Sequence, residues 1–265
     1  MSTLTLAIAV TAGLSLAMMA ARVLQDRLGN GGWADVVWSF ALGAAGAIYA
    51  LTPAPGIAGP GARQILVAVL VLAWSVRLGS YLAMRSAQGH EDARYAQMRR
   101  DWGADFGRRM FWFLQIQATA AAVLALMMLL AARNPRPFGL GDLAGLAILA
   151  AAIVGEGVAD AQLRRFAADP ANRGQVCDVG LWRLSRHPNY FFEWLGWFAY
   201  PLFAIDLSGD YPQGWLALAG PAAMYWLLVH VSGIPPLEQH MLRSRGAAYR
   251  DYQDRTRPFL PWPRA

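Results

Sequence analysis

Residues 111–132 read FWFLQIQATAAAVLALMMLLAA, twenty-two positions from Phe111 to Ala132 without one charged side chain. As a helix rising ~1.5 Å per residue this stretch measures about 33 Å, enough to cross the hydrocarbon core of a bilayer. Working outward, comparable apolar blocks cover Leu4–Val23, Ala34–Leu51, Ile65–Met84, Leu143–Leu163, Phe191–Ile205 and Gly214–Ile234. The sixth of the seven is short. The first lacks a basic start and a small-residue cleavage site, so it reads as an uncleaved span rather than a signal peptide. Hydrophobic residues make up 56% of the chain and charged residues 15%, against about 25% charged in soluble domains. The sequence therefore describes an all-α polytopic membrane protein, one membrane domain over 1–265.

The basic residues orient it. All 23 are arginine. If seven spans alternate, one side receives 19 of them: Arg22 and Arg27, six from Arg85 to Arg109, five from Arg164 to Arg186, and six from Arg243 to Arg264. The other side receives only Arg63, Arg133 and Arg136, and Arg77 falls inside a span. Short arginine-rich loops stay cytoplasmic, so the N-terminus is expected outside and the C-terminus inside. The same distribution argues against nucleic acid as partner, because the cations sit in the gaps between apolar blocks. Without lysine there is neither Schiff-base chemistry nor a P-loop. One cysteine, Cys177, makes no internal disulfide. Four scattered histidines show no metal spacing, and no catalytic metal is expected. No obligate protein partner is evident.

Five constellations interrupt this pattern. The densest is Gly180-Leu181-Trp182-Arg183-Leu184-Ser185-Arg186-His187-Pro188-Asn189-Tyr190-Phe191-Phe192-Glu193-Trp194, at the inner mouth of the sixth block. Pro188 suits a first helical turn, and Asn189 and Glu193 share a helix face. Cations, amides, hydroxyls and a carboxylate within about three turns suit a polar anionic ligand such as a dinucleotide. They equally suit a basic, aromatic anchor at an inner helix end. Glu193 weighs against the anchor, since a carboxylate in a span is expensive. On the fifth block, Glu156, Asp160 and Arg164 form a polar stripe of spacing four, an internal ion-pair ladder or a face toward the same ligand. The tail, with Glu238, Tyr249 and Tyr252, reads as an amphipathic cytoplasmic helix after the last block, snorkelling at the headgroups. Asp35, in Trp33-Ala34-Asp35-Val36-Val37-Trp38, is either a helix N-cap or a desolvated carboxyl, neutral at pH 7 and able to donate a hydrogen bond. Gly89-His90-Glu91-Asp92-Ala93-Arg94-Tyr95 is either a solvated loop or the lid of a pocket.

These residues carry a resemblance. Asp35-Val36-Val37-Trp38, Glu91 to Tyr95, Asp160 to Phe166, Arg173-Gly174, Leu181 to Glu193 and Tyr249-Arg250-Asp251-Tyr252 resemble a bacterial member of the steroid 5-alpha-reductase-like membrane family, the short proteins carrying domain of unknown function 1295. The resemblance covers nearly the whole chain and implies a bacterial inner membrane, with the cofactor site facing the cytoplasm. It implies seven helices, the first four (about 1–132) enclosing an apolar substrate cavity and the last three (about 133–265) holding NADPH. It further implies reduction of a carbon–carbon double bond conjugated to a ketone in a steroid-like lipid. Asn189 and Glu193 then match the nicotinamide-side asparagine and glutamate, and Asp160 and Arg164 the stripe on the fifth span. Arg173, Arg183, Ser185, Arg186, His187, Tyr190, Glu238, Tyr249 and Tyr252 complete the expected cofactor set. Asp35 stands where the reductases keep a glutamate on the substrate ketone. Their span-three tyrosine is replaced here by Trp74, three residues before Arg77, which leaves Tyr81 and Tyr95 as substitutes. Asp35, Tyr95 and Glu91 are the expected catalytic groups. Isoprenylcysteine carboxyl methyltransferases share a weaker form of the Arg-His-Pro-Asn-Tyr segment, so an S-adenosylmethionine-dependent lipid methyltransferase is the alternative.

Overall fold

In the computed structural model, residues 2–53, 59–89 and 92–263 are described. Glu91, an expected catalytic residue, lies outside them. The described residues are organised as helices: α1 Thr3–Leu28, α2 Gly32–Leu51, α3 Ala62–Ala87, α4 Ala93–Trp102, α5 Phe106–Ala132, α6 Leu140–Ala168, α7 Leu181–Leu184, α8 Pro188–Gly196, α9 Ala199–Ala204, α10 Ala219–Trp226, α11 Ile234–Arg245 and α12 Ala247–Arg255. Six segments are long and apolar enough to cross a membrane: α1, α2, α3, the stretch ending in α5, α6, and the one from Pro212 to Arg245. The protein is an integral membrane protein. The apolar side chains of Leu4, Ile8, Ile116, Val123 and Val154 point outward, as lipid-facing positions do.

The sixth block is not one long helix but two short ones, α8 of nine residues and α9 of six, separated at Trp197–Phe198. The Trp197 and Phe198 N–H groups bond Trp194 and Leu195, three residues back, which tightens the last turn and ends α8. The fourth block is separated from α4 by Gly103, whose φ of +46° only glycine adopts readily.

The chain packs as two units, Met1–Leu143 with Tyr200–Ala217, and Ala144–Ala199 with Leu218–Ala265. The division falls within α6, and the segment 200–217 packs with the first unit.

In the first unit α2 packs most extensively on α3 and also on α1 and α5. Small residues allow it: Cβ atoms added at Gly43 and Gly46 would meet Ser75 Cβ at 2.2 Å and Val71 Cγ1 at 2.9 Å. Ser75 Oγ bonds the Ser39 carbonyl at 2.9 Å, and Trp38 Nε1 donates to the Gln117 carbonyl of α5 at 3.1 Å. The three arginines of the sparse side are all committed here. Arg63 makes a two-pronged pair with Asp142, at 2.6 and 2.8 Å, and donates to the carbonyls of Asn134, Arg136 and Pro137. Arg136 donates to the Ile205 and Leu202 carbonyls, and Arg133 to Thr3 Oγ1. Burying the pair is tolerable because Asp142, with no exposed surface, accepts two guanidinium bonds and the Gly139 N–H.

In the second unit α6 is the platform for α7. The Trp182 indole N–H donates to the Ala159 carbonyl and Gln162 Oε1 accepts from the Leu181 N–H, both at 2.9 Å. After α10 comes a π-helical stretch, Leu227–Val231, whose released geometry leads through Gly233 into α11. The tail does not lie as one surface helix. Gly246 (φ +54°) breaks it into α11 and α12, and Tyr249 and Tyr252 of α12 are buried.

Candidate functional site

The first unit contains an acidic cluster at the start of α2. Asp35 lies one turn into that helix, and Asp92 caps α4 by accepting the Arg94 N–H at 2.9 Å. Arg94 Nη2 donates to Asp35 Oδ2 at 2.6 Å, and the Tyr95 hydroxyl donates to Asp35 Oδ1 at 2.7 Å. Arg94 Nε reaches Asp92 Oδ1 at 2.9 Å. Arg85 approaches Asp92 at 3.5 Å. Burial alone would raise the Asp92 carboxyl, but the Arg94 charge and hydrogen bonds, with Arg85 adding, hold it below the usual carboxylate range. Tyr95 is 1% exposed. Its position depends on Gly31, where a Cβ would fall 2.3 Å from Tyr95 Cβ. Asn30 closes the corner, bonding the Ser86 carbonyl at 3.2 Å and the Gly32 N–H at 2.9 Å.

Asp35 is therefore not the solitary carboxyl expected from an apolar span, since both its oxygens are engaged. Of the two tyrosines open as substitutes, Tyr95 is the one bonded to Asp35, while the Tyr81 ring carries the Arg77 guanidinium 5.7 Å from its centroid. Trp74 is buried.

The second unit gathers the 180s segment with the tail. Ser185 pairs with Arg257 as an isolated bridge, and its hydroxyl donates to the Phe259 carbonyl at 2.8 Å. Arg186 Nε donates to Glu238 Oε1 at 2.7 Å, and Nη1 donates to the Thr256 and Gln253 carbonyls at 2.5 and 3.2 Å. Gln253 holds the other Glu238 oxygen at 2.7 Å. The Tyr252 hydroxyl donates to the carbonyls of Trp182 and Ser185. Burial pushes the Tyr249 and Tyr252 phenols above their ordinary range, so both stay protonated donors. Ser185, Arg186, Glu238 and Tyr252 thus form a buried lock between the 180s segment and the tail. The spacing alone did not show this, and it limits what Arg186 has left for a ligand.

Inside the lock His187 is 2% exposed and stacks on Tyr190, centroids 5.5 Å apart with planes 9° from parallel. Its Nε2 lies 3.0 Å from Glu238 Oε1; a carboxylate only accepts, so the proton sits on Nε2. Nδ1 is then a buried acceptor without a partner among the described residues. Burial, with the Arg186 charge, lowers the His187 pKa below its ordinary value despite Glu238, so the ring is neutral at pH 7.

Beside it, α6 and α8 bring carboxylates and an amide together. Asn189 Nδ2 donates to Asp160 Oδ1 at 3.3 Å, and Glu193 accepts the Trp197 indole N–H at 3.0 Å. Asp160, Glu156 and Glu193 are buried. A Cβ on Gly155 would meet the Phe192 ring at 2.4 Å, a close approach that seats α8 on α6. Arg164, Arg173 and Arg183 are exposed, and Arg164 follows Asp160 by one turn. The structure thus unites Asp160, Asn189 and the 180s segment. Gln162 and Trp182, which dock α7, were missed, because an amide on a helix and an interfacial tryptophan carry no chemical signature alone.

The sequence profile of the family described as protein of unknown function DUF1295 matches residues 21–256, and the chain belongs to that family. An uncharacterized protein of Schizosaccharomyces pombe is 29% identical over 229 residues, covering 75% of this chain and 63% of its own length. The chain thus spans less than two thirds of that relative. No solved structure matches.

Proposed function

We propose that this protein is an NADPH-dependent reductase of a carbon–carbon double bond conjugated to a ketone in a flat, steroid-like lipid. The observation that carries the reading is the buried Tyr95 hydroxyl bonded to Asp35, itself paired with Arg94, inside an apolar helical unit. Hydride addition to the β carbon places negative charge on the ketone oxygen. A hydroxyl and a guanidinium held in a water-poor site are the groups that stabilise it. Tyr95 is then the donor that turns its one O–H from Asp35 to that oxygen, Asp35 the acceptor that holds the hydroxyl beforehand, and Arg94 the balancing charge.

The second unit fits the cofactor on one direct observation: the unmet buried acceptor of His187 suits a ligand N–H or O–H. Asp160 and Asn189 would bind hydroxyl or amide groups, and the exposed Arg164, Arg173 and Arg183 would take phosphates. NADPH, when bound, supplies the hydride. Asn189→Ala and Glu193→Ala are expected to weaken NADPH binding about tenfold each, at the cost of one or two hydrogen bonds, without unfolding the protein. Titration of the purified variants by fluorescence checks this. Wild-type affinity in both, or tight binding of S-adenosylmethionine instead, points to the methyltransferase.

The orientation belongs to the same proposal: N-terminus outside, C-terminus and cofactor site cytoplasmic. The 19-to-3 arginine split supports it. So does the placing of both ends of the short sixth block. Residues 185–187 are bound to the tail, while 202–205 are bound to Asn134 and Arg136 of the sparse side. Cysteine introduced for Gln175 should resist a membrane-impermeant maleimide on intact spheroplasts, and cysteine for Asp210 should react. The reverse pattern overturns the topology.

A further inference from the structure

Gln25 breaks the packing pattern of its helix. The inward seam of α1 runs Leu6, Val10, Leu14, Met18, Ala21 and Gln25, at intervals of three or four. The first five fill the seam with apolar groups and the sixth places a carboxamide there. Gln25 has no exposed surface, and neither its Oε1 nor its Nε2 has a hydrogen-bond partner among the described residues. A buried amide left unpaired on both atoms is costly, and leucine would continue the seam at no such cost.

The helix registers show where this amide lies relative to Asp35. α1 runs antiparallel to α5, since Ser15 bonds Gln115 and the Arg22 guanidinium lies over the Phe106 ring. α2 runs parallel to α5, since Trp38 bonds the Gln117 carbonyl and Gly46 abuts Met128. Gln25 therefore sits level with the start of α5, and Asp35 level with about Phe113. The separation along the axis is about 12 Å. A string of rings joins the two levels: Tyr95 edge-on to Phe113 at 6.4 Å, Phe113 to Trp102 at 6.3 Å, and Trp102 to Phe106 at 6.1 Å.

We infer that Gln25 is a specificity residue that hydrogen-bonds a second oxygen of the lipid substrate, at the end opposite the reacting ketone. This rests on the reductase reading for the Asp35–Tyr95 end and adds a substrate class to it: rigid, flat lipids oxygenated at both ends, with the apolar body against the rings. An amide both donates and accepts, so it takes either a hydroxyl or a carbonyl there.

The test compares androst-4-ene-3,17-dione with androst-4-en-3-one, which lacks the far oxygen, as ligands of the purified wild type and of Gln25→Leu. Affinity is read by tryptophan quenching and by ligand-induced thermal shift, and turnover is followed separately. The wild type is expected to bind the dione about tenfold more tightly, one net hydrogen bond with its otherwise unmet partner. Gln25→Leu is expected to bind both equally, with NADPH affinity unchanged. A Gln25→Leu protein that is more thermostable yet keeps the wild-type preference shows an amide satisfied by water, and overturns the inference. So does a wild type without preference. A wild-type preference that Gln25→Leu abolishes, with no turnover of either steroid, would instead overturn the reductase reading and leave the role of Gln25 standing. A Gln25→Asn variant checks the case in which leucine disturbs folding: the shortened amide should lose most of the preference while keeping the fold.

Discussion

Tyr95→Phe is expected to lower turnover of a 3-oxo-Δ4 steroid by about 10²–10³-fold while leaving NADPH affinity at the wild-type level. The size is that of removing one preorganised donor from a developing oxyanion, about 3–4 kcal/mol. The substitution removes one oxygen and keeps the ring against Phe113; Asp35 Oδ1 loses that donor, but Arg94 still pairs the carboxylate, so the fold is expected to hold. Asp35→Ala should fall as far, because the hydroxyl loses its acceptor and Arg94 loses a partner at 2.6 Å. Asp35→Asn should retain more activity than alanine, since its amide oxygen still accepts the Tyr95 O–H. Wild-type kcat in Tyr95→Phe would remove the tyrosine from the chemistry. The acid would then have to be sought at Tyr81 or Glu91.

Arg186→Ala is expected to destabilise the second unit by about 3–5 kcal/mol, the cost of stripping one partner from a buried ion pair. Arg186 is 8% exposed and is the common donor for Glu238, Gln253 and Thr256. Its loss strips Glu238 of its counter-charge and two carbonyls of their guanidinium donor, and loosens the tail on the 180s segment. The apparent melting temperature in detergent should drop, and trypsin should cut earlier at the arginines between 243 and 257. NADPH at saturating concentration should recover part of the loss, because a ligand bound only by the folded form shifts the equilibrium by mass action. Arg186→Lys should recover little of it, since one ammonium cannot serve three acceptors in the guanidinium's plane. Unaltered melting and proteolysis in Arg186→Ala would show that the lock does not hold the tail.

Much of the architecture was legible in the chain because a bilayer enforces it. Every backbone polar group within hydrocarbon must bond internally, so uncharged runs such as Phe111–Ala132 have no choice but helix. The 19-to-3 arginine distribution is equally a property of composition along the chain. Local spacing also brought out Asn189 with Glu193 and the Asp160 stripe, since residues four apart share a helix face whatever else the fold does.

What the sequence by itself could not decide were partners distant along the chain. Asp35 reads alone as an isolated acid; only the docking of α4, 59 residues later, brings Arg94 onto it. Arg186 reads as a phosphate ligand until the tail returns Glu238, 52 residues on, to neutralise it. Arg63 gives no hint of Asp142, 79 residues away. An ionisable group's role depends on the charge that faces it within a few ångströms, because ion pairing in a poorly solvated interior far outweighs any local preference. Nor could the residue pattern foresee that Gln25 would be sealed in with its amide unmet, since burial is a property of the packed helices. Helix formation was written locally; which carboxylates are paired and which polar atoms are left open was settled only by the tertiary packing.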